Sequence, residues 1–223
     1  SFISMASHEF RTPLTTIQSS NELISMHLEN SPELGAPKIG KHVGRIRSEL
    51  ERMNALLKDI FTLGRLDVGK TNLNREITSL PEILKQVALE HRSTSSDDRI
   101  LVIKSEGAER QLNLDSQLIS HAIANLITNA FKYSEGEKAP EMIAKYFDNS
   151  VEIDVTDFGV GIPNKDKKDL FESFSRASNV GDIEGTGLGL VIVKQFVKMH
   201  GGEVSFESKL GKGSTFKIAI PNV

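Results

Sequence analysis

Cysteine and tryptophan are both missing from this 223-residue chain, tyrosine occurs twice, and aromatic residues make up only 6% of it. The lack of cysteine excludes disulfides, thiolate zinc sites and a catalytic thiol, and leaves the compartment unassigned. No apolar run approaches the ~20 residues that a membrane-spanning helix needs. The net charge is −3 with no long basic run, so neither a nucleic-acid patch nor a basic membrane helix is indicated. What is present is 38% hydrophobic residues, enough for one sizeable domain or two small ones. The sequence opens inside a helical pattern with no initiator methionine and no cap, so a fragment of a longer protein is expected, with any targeting or sensory part elsewhere.

Two textures divide the chain. Ile3, Ala6, Phe10, Leu14, Ile17, Asn21, Ile24 and Leu28 recur every three or four residues, a helical stripe broken by one polar position. Pro13 lies inside this helix and is expected to kink it, because proline removes a backbone donor and crowds the preceding turn. "NSPELGAP" reads as a loop. Ile39, Val43, Ile46, Leu50, Met53, Leu57 and Ile60 then form a heptad seam, widened by Leu56 and Leu63. Two such helices predict an antiparallel hairpin whose stripe stays half exposed unless a second hairpin completes a dimeric four-helix bundle. After Gly69 the segments shorten, and a second domain is expected from about residue 71. "PEILKQVALEH" and Ser116–Lys132 read as helices, while "ILVIKS", "VEIDVTD", "GEVSFES" and "STFKIAI" read as strands. The predicted fold class is therefore α+β and multidomain: the helical hairpin, then an α/β sandwich with a mixed sheet.

Four stretches carry chemistry. In "SHEFRTPL", His8 points away from the apolar stripe at 100° per residue, with Thr12 on the same side and Glu9 at the flank. A histidine beside a carboxylate suits a nucleophile: the acid takes a proton from one ring nitrogen and the other lone pair attacks. A solvated surface histidine is the other reading. On the helix from Ser116, Leu118, Ile119, Ala122, Ile123, Leu126, Ile127, Ala130 and Phe131 form an apolar face, and His121, Asn125, Asn129 and Lys132 share the opposite side. Asparagine is a poor helix former, so two of them four apart suggest a task. Neutral oxygen donors beside a lysine suit hydrated magnesium carrying phosphates; a plain solvated face is the alternative.

In "DFGVGIP" a carboxylate, Asp157, ends a strand and is followed by glycines that allow close backbone approach, or else the stretch is an ordinary turn. In "EGTGLGLVIVKQFVKMHGG", Gly185, Gly187 and Gly189 are expected to open a helix whose N-terminal donors favour phosphate, or to form a simple connector. "GKGSTF" reads as a structural turn entering a strand. "DFG" does not signal a eukaryotic-type protein kinase, because the glycine-rich loop follows it and no "HRD" exists. "GTGLG" also lacks the spacing of a dinucleotide fold.

In this order the stretches resemble the transmitter region of bacterial-type sensor histidine kinases. "FISMASHEFRTPLTTI" resembles the family's H box, "LISHAIANLITNAFKYS" its N box, "DFGVGI" its G1 box, "LFESFSR" its F box and "GTGLGL" its G2 box, and "LERMNALLKDIFTLGRLDVGK" resembles its descending helix. The resemblance implies a dimerisation and histidine phosphoacceptor domain over 1–70 and a catalytic ATP-binding domain over 71–223. It implies His8 as phosphoacceptor and Glu9 as the group that orients it and accepts its proton. It implies that Thr12 positions water to hydrolyse a phosphorylated partner. Asn129, assisted by Asn125, would ligate Mg2+, Lys132 would contact phosphate, and Tyr133 would pack near the nucleotide. Asp157 would recognise the adenine amine, Gly159 and Gly161 would shape the pocket, and Arg176 would reach the γ-phosphate. Gly185, Thr186, Gly187, Leu188 and Gly189 would border the nucleotide and anchor a mobile lid at about residues 165–184.

The implied cofactors are ATP and Mg2+. The implied partners are a response-regulator receiver domain and a second copy of the chain, with no nucleic acid and no direct membrane contact in this fragment. The implied location is the cytoplasm, with any membrane anchor in a missing N-terminal part. Two departures from the family pattern stand out: His121 replaces a frequent glutamine, and "EGEKAP" replaces the more usual proline after the N-box serine. Related gyrase and chaperone ATPases carry a water-activating glutamate where this chain has Asn125, which disfavours attack by water. A non-catalytic scaffold would lack the acceptor histidine or the glycine boxes.

Overall fold

The structure, a computed structural model, describes residues 2–30, 36–67, 73–95, 97–181, 183 and 185–222. The expected loop at 30–37 and the 70/71 boundary fall largely outside those residues, as do Asp182 and Glu184 of the expected lid. The chain separates into two compact units, Ser1–Gly64 and Arg65–Val223.

The first unit is a pair of long helices, α1 (Phe2–Asn30) and α2, which begins at Ala36 and continues to Asp67. Arg52 of α2 meets Glu9 of α1, and His42 meets His27, so the helices run antiparallel. The α1 helix is unbroken across Pro13, which is buried. Proline has no N–H to offer the Glu9 carbonyl one turn back, so this turn of the helix is held without that backbone hydrogen bond. Further along, Thr15 and Thr16 each donate a hydroxyl hydrogen to the carbonyl four residues before, Arg11 and Thr12 respectively. Of the seam residues, Leu56 and Leu63 are buried, whereas Val43, Leu50 and Leu57 are 51%, 49% and 39% exposed. On α1, Leu14 is likewise half exposed.

The second unit is a two-layer α/β sandwich. A five-stranded sheet has the order β2 (Val102–Glu106), β4 (Glu141–Phe147), β5 (Ser150–Asp157), β7 (Gly213–Pro221), β6 (Glu203–Lys209). Only β2 and β4 run parallel among the pairs, so the sheet is mixed, as expected. A separate antiparallel ribbon joins β1 (Glu76–Ser79) to β3 (Gln111–Leu114). Helices α4 (Ser116–Lys132) and α5 (Gly189–Met199) pack on the sheet, and α3 (Leu80–Thr94) packs against α4. The registers align one apolar face: Met142 opposite Val155 and then Phe216, Ala144 opposite Ile153 and then Ile218, Tyr146 opposite Val151 and then Ile220. All nine are buried. The opposite face is polar, with Lys145 2.7 Å from Asp154 and Lys217 3.2 Å from Glu152. This period-two separation leaves the helix-covered face to build the core.

The α4 helix has the expected bounds, with Asp115 capping its start by accepting from the Leu118 N–H at 3.1 Å. Its buried residues are those of the predicted apolar face except Leu118, which is half-buried. The α5 helix begins only at Gly189, so Gly185 and Gly187 precede it in a loop rather than opening it.

Candidate functional site

The polar side of α4 and two glycine-bearing loops come together in the second unit. A methyl group built on Gly189 would lie 3.4 Å from the Asn125 side-chain oxygen, and one on Gly185 would lie 2.8 Å from Lys132 Nζ and 3.5 Å from the Tyr133 hydroxyl. The loop before α5 therefore lies across Asn125, Lys132 and Tyr133. The Lys132 ammonium sits 5.1 Å from the Tyr133 ring centroid, within cation–π range. The Asn125 amide nitrogen is buried with no hydrogen-bond partner, a donor held away from water. Asn129, one turn further, is half-buried, and its carbonyl accepts from Tyr133 N–H at 2.9 Å.

Asp157 closes β5 and is buried. Its Oδ1 accepts from the Gly159 N–H at 3.0 Å, and Ser214 also donates to the carboxylate. Burial raises its pKa above the ordinary carboxylate value, and the Gly159 and Ser214 hydrogen bonds oppose that rise. Gly159 is required for close approach: a Cβ there would sit 1.9 Å from the Tyr133 carbonyl. The next residue donates to that same carbonyl, Val160 N to Tyr133 O at 3.2 Å. Gly161 has φ +62° and lies against the Lys209 carbonyl, a conformation that suits glycine.

The remaining predicted residues lie around this cluster. Gly187, at φ +69°, packs against the Phe174 backbone, and its carbonyl accepts from Phe174 N–H at 3.1 Å. Thr186 Oγ1 accepts from Leu188 N–H at 3.2 Å, and Leu188 is fully buried. Arg176 is exposed and donates to the carbonyls of Gly181 (3.4 Å) and Ile183. Burial raises the Tyr133 pKa, and the positive charge of Arg176 opposes it. His121 faces Phe196 of α5 with ring centroids 5.4 Å apart.

In the helical unit, His8 lies on α1 but its side chain is outside the described ones. The Glu9 carboxylate is 3.5 Å from Arg52, whose guanidinium also lies 3.8 Å from Glu49, and Thr12 is exposed.

Sequence reasoning missed Ser214. "GKGSTF" reads as a turn, yet Ser214 bonds Asp157 and its hydroxyl is 2.9 Å from that of Ser208, which in turn accepts from the Ile162 N–H at 2.8 Å. The available signal was a small polar residue at the buried end of a strand paired with β5.

Residues 1–69 match the family described as "His Kinase A (phospho-acceptor) domain", and residues 114–223 match "Histidine kinase-, DNA gyrase B-, and HSP90-like ATPase". The chain belongs to the sensor histidine kinases, as their transmitter region. It is 28% identical over 225 residues to the sensor protein SrrB of Staphylococcus aureus, covering 99% of this chain and 37% of that protein. The chain thus spans little more than a third of the curated relatives it matches. Two solved histidine kinases show the fold. ThkA in complex with the response regulator TrrA superposes with a TM-score of 0.76 at 22% identity, covering 99% of this chain and 61% of that one. Full-length ShkA in complex with AMPPNP gives 0.70 at 23%, covering 99% and 45%. No helix among the described residues of this transmitter is long and apolar enough to cross a membrane.

Proposed function

We propose that this transmitter is an ATP-dependent protein-histidine kinase that phosphorylates itself on His8 and passes the phosphoryl group to an aspartate of a response-regulator receiver domain. The observation that carries this reading is the convergence of Asn125, Lys132 and Tyr133 under the Gly185–Gly189 loop, joined through Gly159 to the buried Asp157, in a chain whose first residues match the phosphoacceptor family. The residues fit a magnesium-bound nucleotide. The unpartnered buried Nδ2 of Asn125 and the Lys132 ammonium are donors that suit phosphate oxygens, the amide oxygens of Asn125 and Asn129 suit a hydrated hard cation, and glycines leave open the space that a Cβ would fill beside them. Asn129 and Asn125 would hold Mg2+, which supplies charge neutralisation on the phosphates. Asp157 would accept a hydrogen bond from the adenine amine, with Gly159 and Gly161 keeping the pocket open. Arg176 would turn to the γ-phosphate, and Thr186, Gly187 and Leu188 would anchor the lid.

In the reaction a ring nitrogen of His8 attacks the γ-phosphorus of the substrate ATP. The bond to the ADP oxygen breaks, and Glu9 receives the proton from the other ring nitrogen. Exposed Thr12 supports a second role, positioning water against a phosphorylated receiver. A second copy of the chain as partner is supported by Val43, Leu50 and Leu57, exposed apolar residues seven apart on α2. The phosphoacceptor part is assigned to 1–70, the ATP-binding part to 71–223, and the reaction to the cytoplasm.

Incubation with Mg2+ and γ-labelled ATP is expected to give acid-labile label that moves to a receiver domain. Retained labelling in His8→Gln overturns the assignment of His8. Unchanged nucleotide binding and phosphorylation in Asn129→Asp overturn the metal site.

A further inference from the structure

Arg99 lies in the segment between α3 and β2, outside every motif discussed above. Its side chain is 18% exposed, and Asp97 fixes it with a two-pronged contact, Nη2 to Oδ2 at 2.5 Å and Nε to Oδ1 at 3.0 Å. The guanidinium hydrogens left over all point at the end of α4. Nη2 donates to the Phe131 carbonyl at 2.9 Å, and Nη1 donates to the Ser134 carbonyl at 2.5 Å and hydroxyl at 3.0 Å. The Glu137 and Lys138 carbonyls lie 3.2 and 3.4 Å from the same Nη1. The Phe131 ring meets both the guanidinium, 5.2 Å from its centroid, and the His91 ring, with centroids 4.5 Å apart.

The last carbonyls of a helix lack intrahelical donors and carry partial negative charge, so a fixed cation there is favourable. Arg99 does more than cap. The two carbonyls it grips, Phe131 and Ser134, bracket Lys132 and Tyr133. The Tyr133 carbonyl accepts from Val160 and packs on Gly159, two residues after Asp157. Lys138, whose carbonyl Arg99 also faces, places its ammonium 4.4 Å from the centroid of Phe158. Two routes therefore run from one guanidinium to the residues flanking Asp157.

We propose that Arg99 is a positioning residue for nucleotide binding, setting the placement of Lys132, Tyr133 and the Asp157–Gly161 loop through the α4 terminus. This rests on the nucleotide-site reading above. Lysine cannot replace it: an ammonium is a point charge that cannot grip Asp97 through two nitrogens while spanning two separated carbonyls.

The test measures ATP Kd, and KM against kcat for autophosphorylation, in wild type, Arg99→Lys and Asp97→Asn. It also follows amide hydrogen exchange at Val160 without nucleotide. Arg99→Lys is expected to raise Kd and KM about tenfold with kcat changed less than twofold, the 1.4 kcal/mol equivalent of a tenfold change. Val160 should exchange faster. Asp97→Asn keeps the guanidinium and should shift all three readouts in the same direction by less; if Arg99→Lys does not fold, this variant decides. A lowered melting temperature with unchanged Kd, KM and Val160 exchange makes Arg99 a structural cap only and overturns the inference. A wild-type protein that binds no ATP overturns the function proposed above instead, and Val160 exchange still decides whether Arg99 holds the loop.

Discussion

The two units solve burial differently. In the α/β unit, every apolar side chain on one face of the central strands meets another across the register, and α4 and α5 cover them. In the hairpin, Leu14, Val43 and Leu50 are each about half exposed although they sit at the helical and heptad spacings, and Met26 and Phe61, outside those rows, are exposed as well. A sheet face can be closed by helices from its own chain, whereas two helices have only one mutual seam, and any wider stripe faces outward. The site chemistry follows the same division. The α/β unit holds its polar groups in fixed, buried geometry, as with Asp157 and the Asn125 amide, while Thr12 stands on an exposed helix surface. A rigid binding site and an accessible transfer surface are what a protein needs if one part must capture a small molecule and the other must meet a macromolecule.

Core truncation should be costly in the α/β unit. Ile153 is fully buried, so Ile153→Ala is expected to cost about 2–5 kcal/mol in urea unfolding followed by a probe in that unit. A cost within about 0.5 kcal/mol would place Ile153 outside a tight core. In the hairpin, Leu50→Glu is expected to weaken self-association by about 2 kcal/mol in sedimentation, with the α/β transition unmoved. Unaltered association removes this face from the proposed dimer contact.

Asp157 allows binding and stability to be separated within one residue. Burial raises the pKa of Asp157 in the folded protein. The sign follows from linkage: this group favours the fold below its unfolded pKa, and that contribution is lost as pH rises through the folded pKa, so at neutral pH its charge is a burden on the fold. Asp157→Asn removes the charge while keeping an oxygen to accept from Gly159 and Ser214. Nucleotide affinity should fall at least tenfold, about 1.4 kcal/mol, while the melting temperature holds or rises. A fall in both would mean that the carboxylate is structural.

Much of this was legible in the sequence because periodicity reports burial. The α4 helix was legible to the residue, since its apolar rows are a local signal. Strands β5 and β7 alternate strongly and were read correctly. Strand β4 was missed although it is central: in "EMIAKYF" the buried row is Met142, Ala144 and Tyr146, three unlike residues, and Ile143 on the other face blurs the alternation. The ribbons β1 and β3 have four residues each, too short for a period to register. On α2 the buried residues are Leu56 and Leu63, which flank the predicted heptad row, while Val43, Leu50 and Leu57 of that row are exposed, because periodicity alone does not say which side of the helix faces α1. At the site, the glycines and asparagines were visible as residue types at fixed spacing. Ser214 and Arg99 were not, because each acts through a contact across the fold that no local pattern encodes.

Acidification should weaken the α/β unit modestly. His200 is buried at the end of α5, and both ring nitrogens are used: Nδ1 is 2.8 Å from the Phe196 carbonyl, and Nε2 accepts from the Asp115 N–H at 3.0 Å. A carbonyl can only accept and an amide N–H can only donate, so the ring is neutral with its proton on Nδ1. Burial lowers its pKa, and the Arg75 charge adds to that, whereas the Phe196 hydrogen bond and Asp115 oppose it. A proton added at Nε2 would face the Asp115 N–H and separate α5 from the cap of α4. The folded pKa lies below the unfolded value of 6.5, so the stabilising contribution is complete above 6.5 and is lost as pH falls from there toward the folded pKa. His91, also lowered by burial, acts in the same direction. The urea midpoint of the α/β transition should therefore decline between pH 8 and 5.5, and His200→Gln, which cannot titrate, should flatten that decline, with His91→Gln flattening it further. An unchanged slope in the double variant would assign the pH dependence to other groups and leave the His200 contact as a simple brace between α4 and α5.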